Sequence, residues 1–553
     1  MKTYDHIVVS ILGEFHNLKQ KNNSINDDLD LIASIYINKG VMELSRKLDG
    51  FFTILIYDKN INKVFVIQDQ HTSLNHLYYY HDNESLFLST DVKELFRRTK
   101  VVPKVNKDIL PTYLHYAFVP GNQTLFDNIY KLPTETLLEY TYQTNSLALL
   151  PNYIMQEKAT LNEIDTEKKL VELFDEVLLS RIEEIDTKQF AVMFSGGYDS
   201  NFLLSRLLKY KPESEIKLFS YGSTSTKSEI HNIRRIIDIY KNLGYKLTLH
   251  DYTVKAEDIH NLPKMMFSLG EPISEPGVIF QASLAEVLKE NNIDVVIGGD
   301  ANDQVYDRKL YYEMVHKLVE PKAIYDYPKY GRLRLGEIDR IFTYKFFTDI
   351  EISWLLNSNH RFTTMQLSLE NYSTVFTNYF LTKRLIVKHY GVTPRLPFLG
   401  SKYTDFIDAQ LEEKDLIFKN LHVKVSNDMI PKEISQELVK ATESTSPYSY
   451  IFLEDKETRQ KLFSLILNSE VSREYFNLSS IKMILDGFNF AIENGQTSGD
   501  YYKASVLSCR IFTIIGFLVW HSIFISTDKY LCKLECNVNL FELLGEPTPV
   551  TIN

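Results

Sequence analysis

The sequence predicts two α/β units in series, the first rich in antiparallel strands and the second built on a parallel sheet. In the first part, short apolar runs such as HIVVSIL, FFTILIYD and KVFVIQD alternate with turns rich in Asp, Asn and Gly, which is typical of antiparallel sheets. In the second part, strand-like runs alternate with amphipathic helices, as in QFAVMF followed by SGGYDS and NFLLSRLLKY. That alternation implies a parallel sheet covered on both faces.

Length and composition place the boundary between the two units. At 553 residues the chain exceeds one ordinary core, since a domain contains roughly 150 residues. Across residues 154–170 the composition shifts to Glu, Lys, Asp and Thr with little apolar periodicity, so the predicted domains are residues 1–153 and 165–553. After the strand DVVIGG the chain is mostly helical, with no internal repeat and no low-complexity tract.

Charge and cysteine content exclude several classes of protein. The formal net charge of −11 argues against nucleic acid as a partner, because such binding relies on clustered Lys and Arg. The three cysteines, Cys509, Cys532 and Cys536, lack the spacing of a zinc site or a disulfide framework, so we expect reduced thiols. The start MKTYDHIVVSILGEF does not have the pattern of a secretory signal. We therefore expect a cytoplasmic protein.

One apolar run, residues 506–525, approaches the length of a membrane span. Arg510, His521, Cys509 and two serines interrupt it, and charged residues are rare in the core of a bilayer. The pattern favours a buried helix and no membrane partner.

The turn SGGYDS has the features of a phosphate-binding loop. It lies between a strand and an amphipathic helix, so its N–H groups lie where the helix dipole favours an anion. Gly196 and Gly197 allow close approach of the backbone, and the hydroxyls of Ser195 and Ser200 can donate to phosphate oxygens. A carboxylate there, Asp199, fits a ligand of Mg²⁺ beside a triphosphate. Taken alone, the hexapeptide is equally well explained as a helix cap.

Segments along the whole chain resemble one protein family. SGGYDS after a strand resembles the SGGxDS motif of the PP-loop ATP pyrophosphatases, which cleave ATP between the α- and β-phosphates. The asparagine synthetase family has blocks similar, in order, to LDGFFTILIYD, LYYYHDNESLFLSTDVKEL, YAFVPGNQTLFDNIYKLP, EPISEP, VVIGGDANDQVY, GVTPRLPFLG and IPKEISQELVKATESTSP. That family includes glutamine-dependent asparagine synthetases, β-lactam and carbapenam synthetases, and the cyclases that close lasso peptides.

The resemblance implies a fold for each unit. Residues 1–153 would form a degenerate antiparallel β-sandwich of the Ntn-glutaminase type. Residues 165–553 would form a PP-loop synthetase domain, similar to adenine nucleotide α-hydrolases, with a parallel sheet and a helical C-terminal part. The cofactors implied are ATP and Mg²⁺.

The resemblance also implies roles for individual residues. Asp199 and Asp303 match the two metal-binding aspartates, and Lys440 lies in the segment that matches the catalytic lysine. Asp300 stands where asparagine synthetases carry Glu and β-lactam synthetases carry Tyr, so it is a candidate base for the attacking amine. The residues that match nucleotide contacts are Met193, Ser195, Gly196, Gly197, Ser200, Ser220, Tyr221 and Gly299.

Two departures from the family pattern bear on the substrates. Thr393 and Pro394 replace Glu-Ala before the Arg-Val-Pro-Phe-Leu-Asp block, and Gly400 replaces its last residue, so we expect altered substrate recognition. Glutamine-dependent members begin with a nucleophilic Cys, whereas this chain begins MKT and has no cysteine before Cys509. The usual Arg-Asp-Arg is QDQ here. Without the thiol, the chain is not expected to take ammonia from glutamine.

These features predict an AMP-forming ligase that adenylates a carboxylate, releases pyrophosphate and lets an amine attack. The leading expectation is an intramolecular lactam or macrolactam, formed on a small-molecule or peptide substrate in natural-product biosynthesis. An intermolecular ligase, including ammonia-dependent asparagine synthesis, is the second, and a non-catalytic nucleotide-binding scaffold is the third. A protein that delivers the precursor, and a homodimer, are partners that the sequence leaves open.

Overall fold

The two units are seen in the strands of a computed structural model. It describes residues 1–16, 25–69, 76–119, 122–132, 136–152, 163–183, 189–222, 230–272, 274, 277–302, 305–306, 349–357, 390–416, 419–438, 452–494, 498–526 and 539–545. The strands are β1 (Lys2–Tyr4), β2 (Ile7–Phe15), β3 (Gly50–Asp58), β4 (Lys63–Gln68), β5 (Tyr78–His81), β6 (Leu86–Ser89), β7 (Tyr130–Lys131), β8 (Thr136–Thr141), β9 (Ser146–Pro151), β10 (Phe190–Met193), β11 (Ile216–Gly222), β12 (Leu247–Thr253), β13 (Val295–Gly298) and β14 (Thr393–Arg395).

The first unit contains two antiparallel sheets, as the sequence predicted. Six strands form one sheet in the order β1-β2-β3-β4-β8-β9, and three form a second in the order β6-β5-β7. Alternate side chains of β4 enter different cores: Phe65 and Ile67 pack with the helix Ile25–Lys39, and Val66 packs with Tyr79 of the smaller sheet. Both faces of this strand are therefore covered, which explains its continuous apolar sequence.

The second unit is built on a five-stranded parallel sheet in the order β12-β11-β10-β13-β14. The chain runs outwards from β10 to β12 on one side and then returns to add β13 and β14 on the other. The strand order therefore reverses between β10 and β13, and ligands of open α/β sheets bind at such a point, beyond the carboxyl ends of the strands. Pro394 lies in β14, at the edge of the described sheet, where a missing N–H is tolerated.

Helices pack on the sheets of both units and form the C-terminal part. In the first unit they are Ile25–Lys39, Met42–Lys47, Val92–Thr99 and Leu110–Tyr116. Around the parallel sheet and after it they are Glu163–Ile182, Tyr198–Tyr210, Ile230–Asn242, Leu262–Leu269, Gly277–Glu290, Asp349–Leu355, Ser401–Gln410, Glu413–Leu416, Asn420–Met429, Lys432–Leu438, Lys456–Asn468, Glu470–Tyr475, Leu478–Glu493, Ser498–Phe524 and Leu540–Leu543, with 3₁₀ turns at Ala256–Asn261 and Pro397–Leu399.

The helix Ser498–Phe524 contains the apolar run that the sequence assigned to a buried helix. Its stretch Val506–Phe524 is long and apolar enough to cross a membrane by composition alone, but 72% of that window is buried inside the protein. Trp520 is fully buried, with its ring 4.8 Å from that of Phe126 in the first unit. This helix therefore joins the hydrophobic cores of the two units.

Gly516 lets this helix approach the residues that face it. A Cβ at position 516 would overlap Ser274 Oγ and lie 2.6 Å from Tyr113 Oη, and both of those side chains are buried. Tyr113 Oη donates to the carbonyl of Thr513 at 2.9 Å, so the tyrosine is held against the helix backbone. A larger residue would push these groups apart.

We expect Gly516→Ala to lower the free energy of unfolding by about 1–3 kcal/mol, the usual cost of overpacking a core. The matched control is Gly487→Ala in the helix Leu478–Glu493, where a Cβ would meet only Leu507 Cδ1 at 3.5 Å. That variant should gain up to about 1 kcal/mol from helix propensity. Urea unfolding followed by circular dichroism measures both, and equal effects of the two substitutions would contradict the packing argument.

Candidate active site

The turn SGGYDS links the end of β10 to the helix Tyr198–Tyr210, at the reversal of the strand order. Gly196 has φ +77°, the left-handed region that favours glycine, and a Cβ there would lie 2.9 Å from Ile233 Cγ1. Gly197 precedes the helix in an extended conformation, and no side chain caps the first turn within the described chain. The first N–H groups of a 13-residue helix are thus directed at the crevice, which suits an anion.

Hydrogen bonds within the turn fix its shape. Asn201, which is fully buried, donates through Nδ2 to the carbonyl of Gly196 at 2.8 Å and to that of Gly197 at 3.0 Å. The hydroxyl of Ser200 is buried and donates to the carbonyl of Gly197 at 3.0 Å. Ser195 is exposed, and its Oγ lies 3.2 Å from Ser200 Oγ and accepts from the N–H of Gly197 at 3.4 Å.

The loop after β13 packs directly on this turn. Gly299 lies so close that a Cβ would stand 3.2 Å from the carbonyl carbon of Asp199 and 3.2 Å from the nitrogen of Ser200. Three residues later in the same loop, the fully buried Asn302 donates through Nδ2 to Asp199 Oδ1 at 2.7 Å. Asp300 lies between them, partly exposed at the start of a turn. The two motifs that the sequence singled out therefore meet at Asp199.

Asp199 also accepts from a third part of the chain. Lys419 Nζ lies 2.6 Å from Oδ2, and His422 Nε2 lies 2.9 Å from Oδ1. Burial would raise the pKa of the Asp199 carboxyl, but Lys419 and then His422 lower it to well below its usual range. The group is therefore ionised at neutral pH. About 20% of its side-chain surface is exposed, so a ligand can still reach it.

Lys419 and His422 are held in place by their own surroundings. Lys419 has φ +52° immediately before the helix Asn420–Met429, a left-handed conformation that costs a residue with a side chain roughly 1–2 kcal/mol. His422 is fully buried, with its ring 5.0 Å from that of Phe202. Ser426 Oγ lies 3.3 Å from the same Nε2 that contacts Asp199. Because one nitrogen faces both groups, this is not the relay of a serine nucleophile.

The described residues fit a magnesium site in part. Mg²⁺ is usually held by one or two carboxylates together with substrate phosphates, and Asp199 provides one such carboxylate. Its Oδ2 is paired with Lys419, so a metal ion at this oxygen requires the lysine to move. Among the described residues, no group of three or more His, Cys, Asp or Glu side chains is arranged around a common point. Asp303 and Lys440 lie outside the described residues.

The remaining predicted nucleotide contacts lie near the carboxyl edge of the sheet. Met193 ends β10 and is partly buried beside Phe219 of β11. Ser220 and Tyr221 follow along β11, one and two residues further towards that edge. The geometry brings these positions close to the turn after β10, and their roles stay predictions.

Four residues at the site were missed by the sequence analysis. Asn201 directly follows SGGYDS and Asn302 lies within GGDANDQ, so their closeness to the two recognised motifs was the available signal. Lys419 directly precedes the helix Asn420–Met429 and His422 lies in its first turn, and neither belongs to a recognised motif. A lone lysine and a lone histidine outside any motif otherwise resemble ordinary surface and core residues.

Two family models match the chain. The glutamine amidotransferase domain matches residues 9–153, and the asparagine synthase model matches residues 172–522, well over half of the chain. The chain belongs to the asparagine synthase family. This is a family of ligases that use ATP, and the predicted fold class, antiparallel sheets followed by a parallel sheet with helices, is confirmed.

Three relatives share about a quarter of their residues with this asparagine synthase family member over the matched segments. A Methanocaldococcus jannaschii protein named as a glutamine-hydrolysing asparagine synthetase is 24% identical over 314 residues, covering 54% of this chain and 58% of the relative. Glutamine-hydrolysing asparagine synthetase 1 of Bacillus subtilis is 25% identical over 314 residues, covering 53% and 46%. Microcin J25-processing protein McjC of Escherichia coli is 26% identical over 199 residues, covering 36% and 35%. The chain thus spans about half the length of the first two relatives.

A double-mutant cycle on Asp199→Asn and Lys419→Met should reveal the strength of this ion pair. We expect a coupling of about 1–3 kcal/mol in the free energy of unfolding at pH 7. Because the pKa of Asp199 is lowered on folding, the contribution is complete above the unfolded value of about 3.9. It is lost progressively as the pH falls from there through the lower pKa of the folded state.

Urea unfolding of the four proteins at pH 7, 5 and 3.5 checks this expectation. The coupling should be equal at pH 7 and 5 and smaller at pH 3.5. A coupling that grows on acidification would contradict the assigned direction of the pKa shift.

Proposed function

We propose that the chain adenylates a substrate carboxylate with ATP and then joins the activated carboxyl group to an amine of the same substrate. In the first step a carboxylate oxygen attacks the α-phosphorus of ATP, and the bond to pyrophosphate breaks. In the second step the amine attacks the acyl-adenylate, AMP leaves and a proton is released. The product is an amide, a lactam or macrolactam that has lost one water.

The observation that carries this proposal is the charge arrangement around Asp199. An uncapped helix N-terminus, a buried carboxylate and the Lys419 cation meet where the strand order reverses. The N–H groups and Ser195 suit the phosphates, and Lys419 is close enough to offset charge that builds on departing pyrophosphate. We assign Asp199, with Asp303, to hold Mg²⁺ on the pyrophosphate, where the ion would lower the same developing charge.

We assign the proton transfer of the second step to Asp300, in the loop after β13. Asp300 directly follows Gly299, which packs on the turn SGGYDS, and this neighbourhood supports its assignment as the base. It would take the proton that the amine loses. Lys440, in the segment that resembles the family's catalytic lysine, would stabilise the charge on the reacting carbonyl.

The first unit supports an amine that is carried by the substrate itself. Residues 9–153 match an amidotransferase domain, but the chain has no cysteine before Cys509 that could attack glutamine. An amine carried by the substrate itself needs no glutaminase and gains from proximity. Similarity to a protein named for processing microcin J25 supports a peptide substrate. A cytoplasmic location goes with this proposal.

ATP–pyrophosphate exchange tests the first step, with AMP followed by mass spectrometry. The acids offered should include small amino acids and peptides that carry both a free amine and a side-chain carboxylate. We expect exchange with at least one of them, and its loss in Asp199→Asn and Asp303→Asn. Lys419→Met should slow exchange by about 10²–10³-fold, the usual cost of removing one group that stabilises developing charge.

Lys246→Met is the matched lysine control for this experiment. Lys246 is 60% exposed and pairs with Glu213 far from the turn, so its loss should leave exchange unchanged. Normal exchange in Asp199→Asn would remove that residue from the site. ATP binding without exchange for any acid would favour a non-catalytic scaffold.

The product distinguishes intramolecular from intermolecular ligation. We expect a single precursor to lose 18 Da, the mass of one water, with no added amine. Lys440→Ala and Asp300→Asn should prevent this loss even if AMP still forms, because both are assigned to the second step. An amide that appears only when ammonia or a second amine is added would replace the cyclisation proposal by an intermolecular ligase.

A further inference from the structure

Asp49 is a residue of the first unit whose carboxylate contacts the second unit. It lies directly before β3 and is buried. Both of its oxygens lie 3.1 Å from Arg181 Nη2, near the end of the helix Glu163–Ile182. Its Oδ1 also accepts from the backbone N–H and the hydroxyl of Ser401, both at 3.1 Å. One carboxylate therefore connects two helices of the ligase unit.

The contact with Ser401 is a helix cap supplied by another unit. The helix Ser401–Gln410 follows Gly400, which has no side chain to cap it. A Cβ at Gly400 would overlap the side chain of Val177, so no capping residue fits at that position. The N–H groups of the first turn still need an acceptor, and Asp49 provides one.

The capped helix leads to the active site by hydrogen bonds. Two residues after Ser401, the hydroxyl of the fully buried Tyr403 donates to Asn302 Oδ1 at 3.1 Å. Asn302 in turn donates to Asp199 Oδ1 at 2.7 Å. Tyr403 lies in the first turn of the helix, and its ring packs edge-on against that of Phe398, just before the helix, with centroids 5.7 Å apart. Its position therefore depends on where the helix begins.

Charge gives a second reason for this contact. Arg181 is only 1% exposed, and burial lowers the pKa of its guanidinium, while the Asp49 carboxylate raises it again. Removing one partner of a buried ion pair leaves a charge that is costly to bury. The first unit also supplies Glu14, which forms an ion pair with the buried Arg395 at the end of β14. Two buried arginines of the ligase unit are thus neutralised by carboxylates of the first unit.

We propose that Asp49 is a positioning residue for the carboxylate of Asp199, acting through the helix Ser401–Gln410. The amidotransferase-like unit then has a role that does not need a nucleophilic thiol: its carboxylate sets the start of a helix whose tyrosine orients the groups at the phosphate turn. The kinetic part of this inference rests on the proposed ligase function, and the structural part does not.

The test compares Asp49→Ala, Asp49→Asn and Tyr403→Phe with a second buried ion pair between the units. Lys131 Nζ lies 2.8 Å from Glu271, and the two side chains are 3% and 5% exposed. In the described residues no hydrogen bond joins this pair to Asp199. The control variant, Lys131→Met with Glu271→Gln, removes both charges, so it weakens the interface without leaving one of them alone.

In ATP–pyrophosphate exchange we expect Asp49→Ala and Tyr403→Phe each to lower kcat about tenfold, with the KM for the acid unchanged. The double variant should lose little more than either single one, because both act on one path. Asp49→Asn, which keeps an acceptor for Ser401, should recover part of kcat. The inference would be overturned if the effects of Asp49→Ala and Tyr403→Phe on kcat multiplied in the double variant, or if the control pair lowered kcat equally. Asp49 would then be only a contact that stabilises the interface.

Amide hydrogen exchange read by mass spectrometry gives a measurement that needs no turnover. In Asp49→Ala and Asp49→Asn, peptides covering residues 195–202 and 401–404 should exchange faster than in the wild type. The control pair should leave these peptides unchanged while exchange rises around residues 131 and 271. Unchanged exchange at residues 195–202 in both Asp49 variants would sink the proposal, even if the wild type proved inactive with every acid.

Discussion

The Asp199 carboxylate is the group on which the arrangement of the site depends. It lies at the start of a helix that follows the central strand of the parallel sheet, and it is ionised although mostly buried. Such a charge is tolerated only when donors surround it, and here Asn302, His422 and Lys419 provide them. These three residues come from two loops and a helix, so the need to satisfy one carboxylate brings distant parts of the chain together.

The same requirement recurs between the two units. The apolar core is continuous across them, with Phe126 packed on Trp520. Burial of apolar surface is non-directional, so by itself it does not fix the orientation of one unit on the other. The buried pairs of Asp49 with Arg181 and of Lys131 with Glu271 do so, because each ion must face its partner. The first unit therefore supplies charges that pair with buried charged groups of its neighbour.

The structure explains two departures from the family pattern, Gly400 and Pro394. Gly400 stands where the resemblance leads one to expect an aspartate, and the side chain of Val177 fills the space that its Cβ would need. The acceptor for the following helix comes from Asp49 instead. Pro394 is accommodated because β14 lies at the edge of the described sheet. Both departures thus lie in elements of the second unit and concern packing, capping and strand pairing there.

The sequence by itself determined the fold class, the antiparallel and parallel sheets and the turn SGGYDS, because these follow from local periodicity and from a motif of adjacent residues. It also indicated that the helix Ser498–Phe524 is buried, since Arg510 and His521 interrupt its apolar face. Only the tertiary structure decided the partners of Asp199. Lys419 lies 220 positions along the chain from it and carries no motif of its own. Long-range pairing of charges depends on how strands and helices stack, and no local pattern encodes that. The capping of Ser401 by Asp49 was invisible for the same reason: its two partners are 352 positions apart.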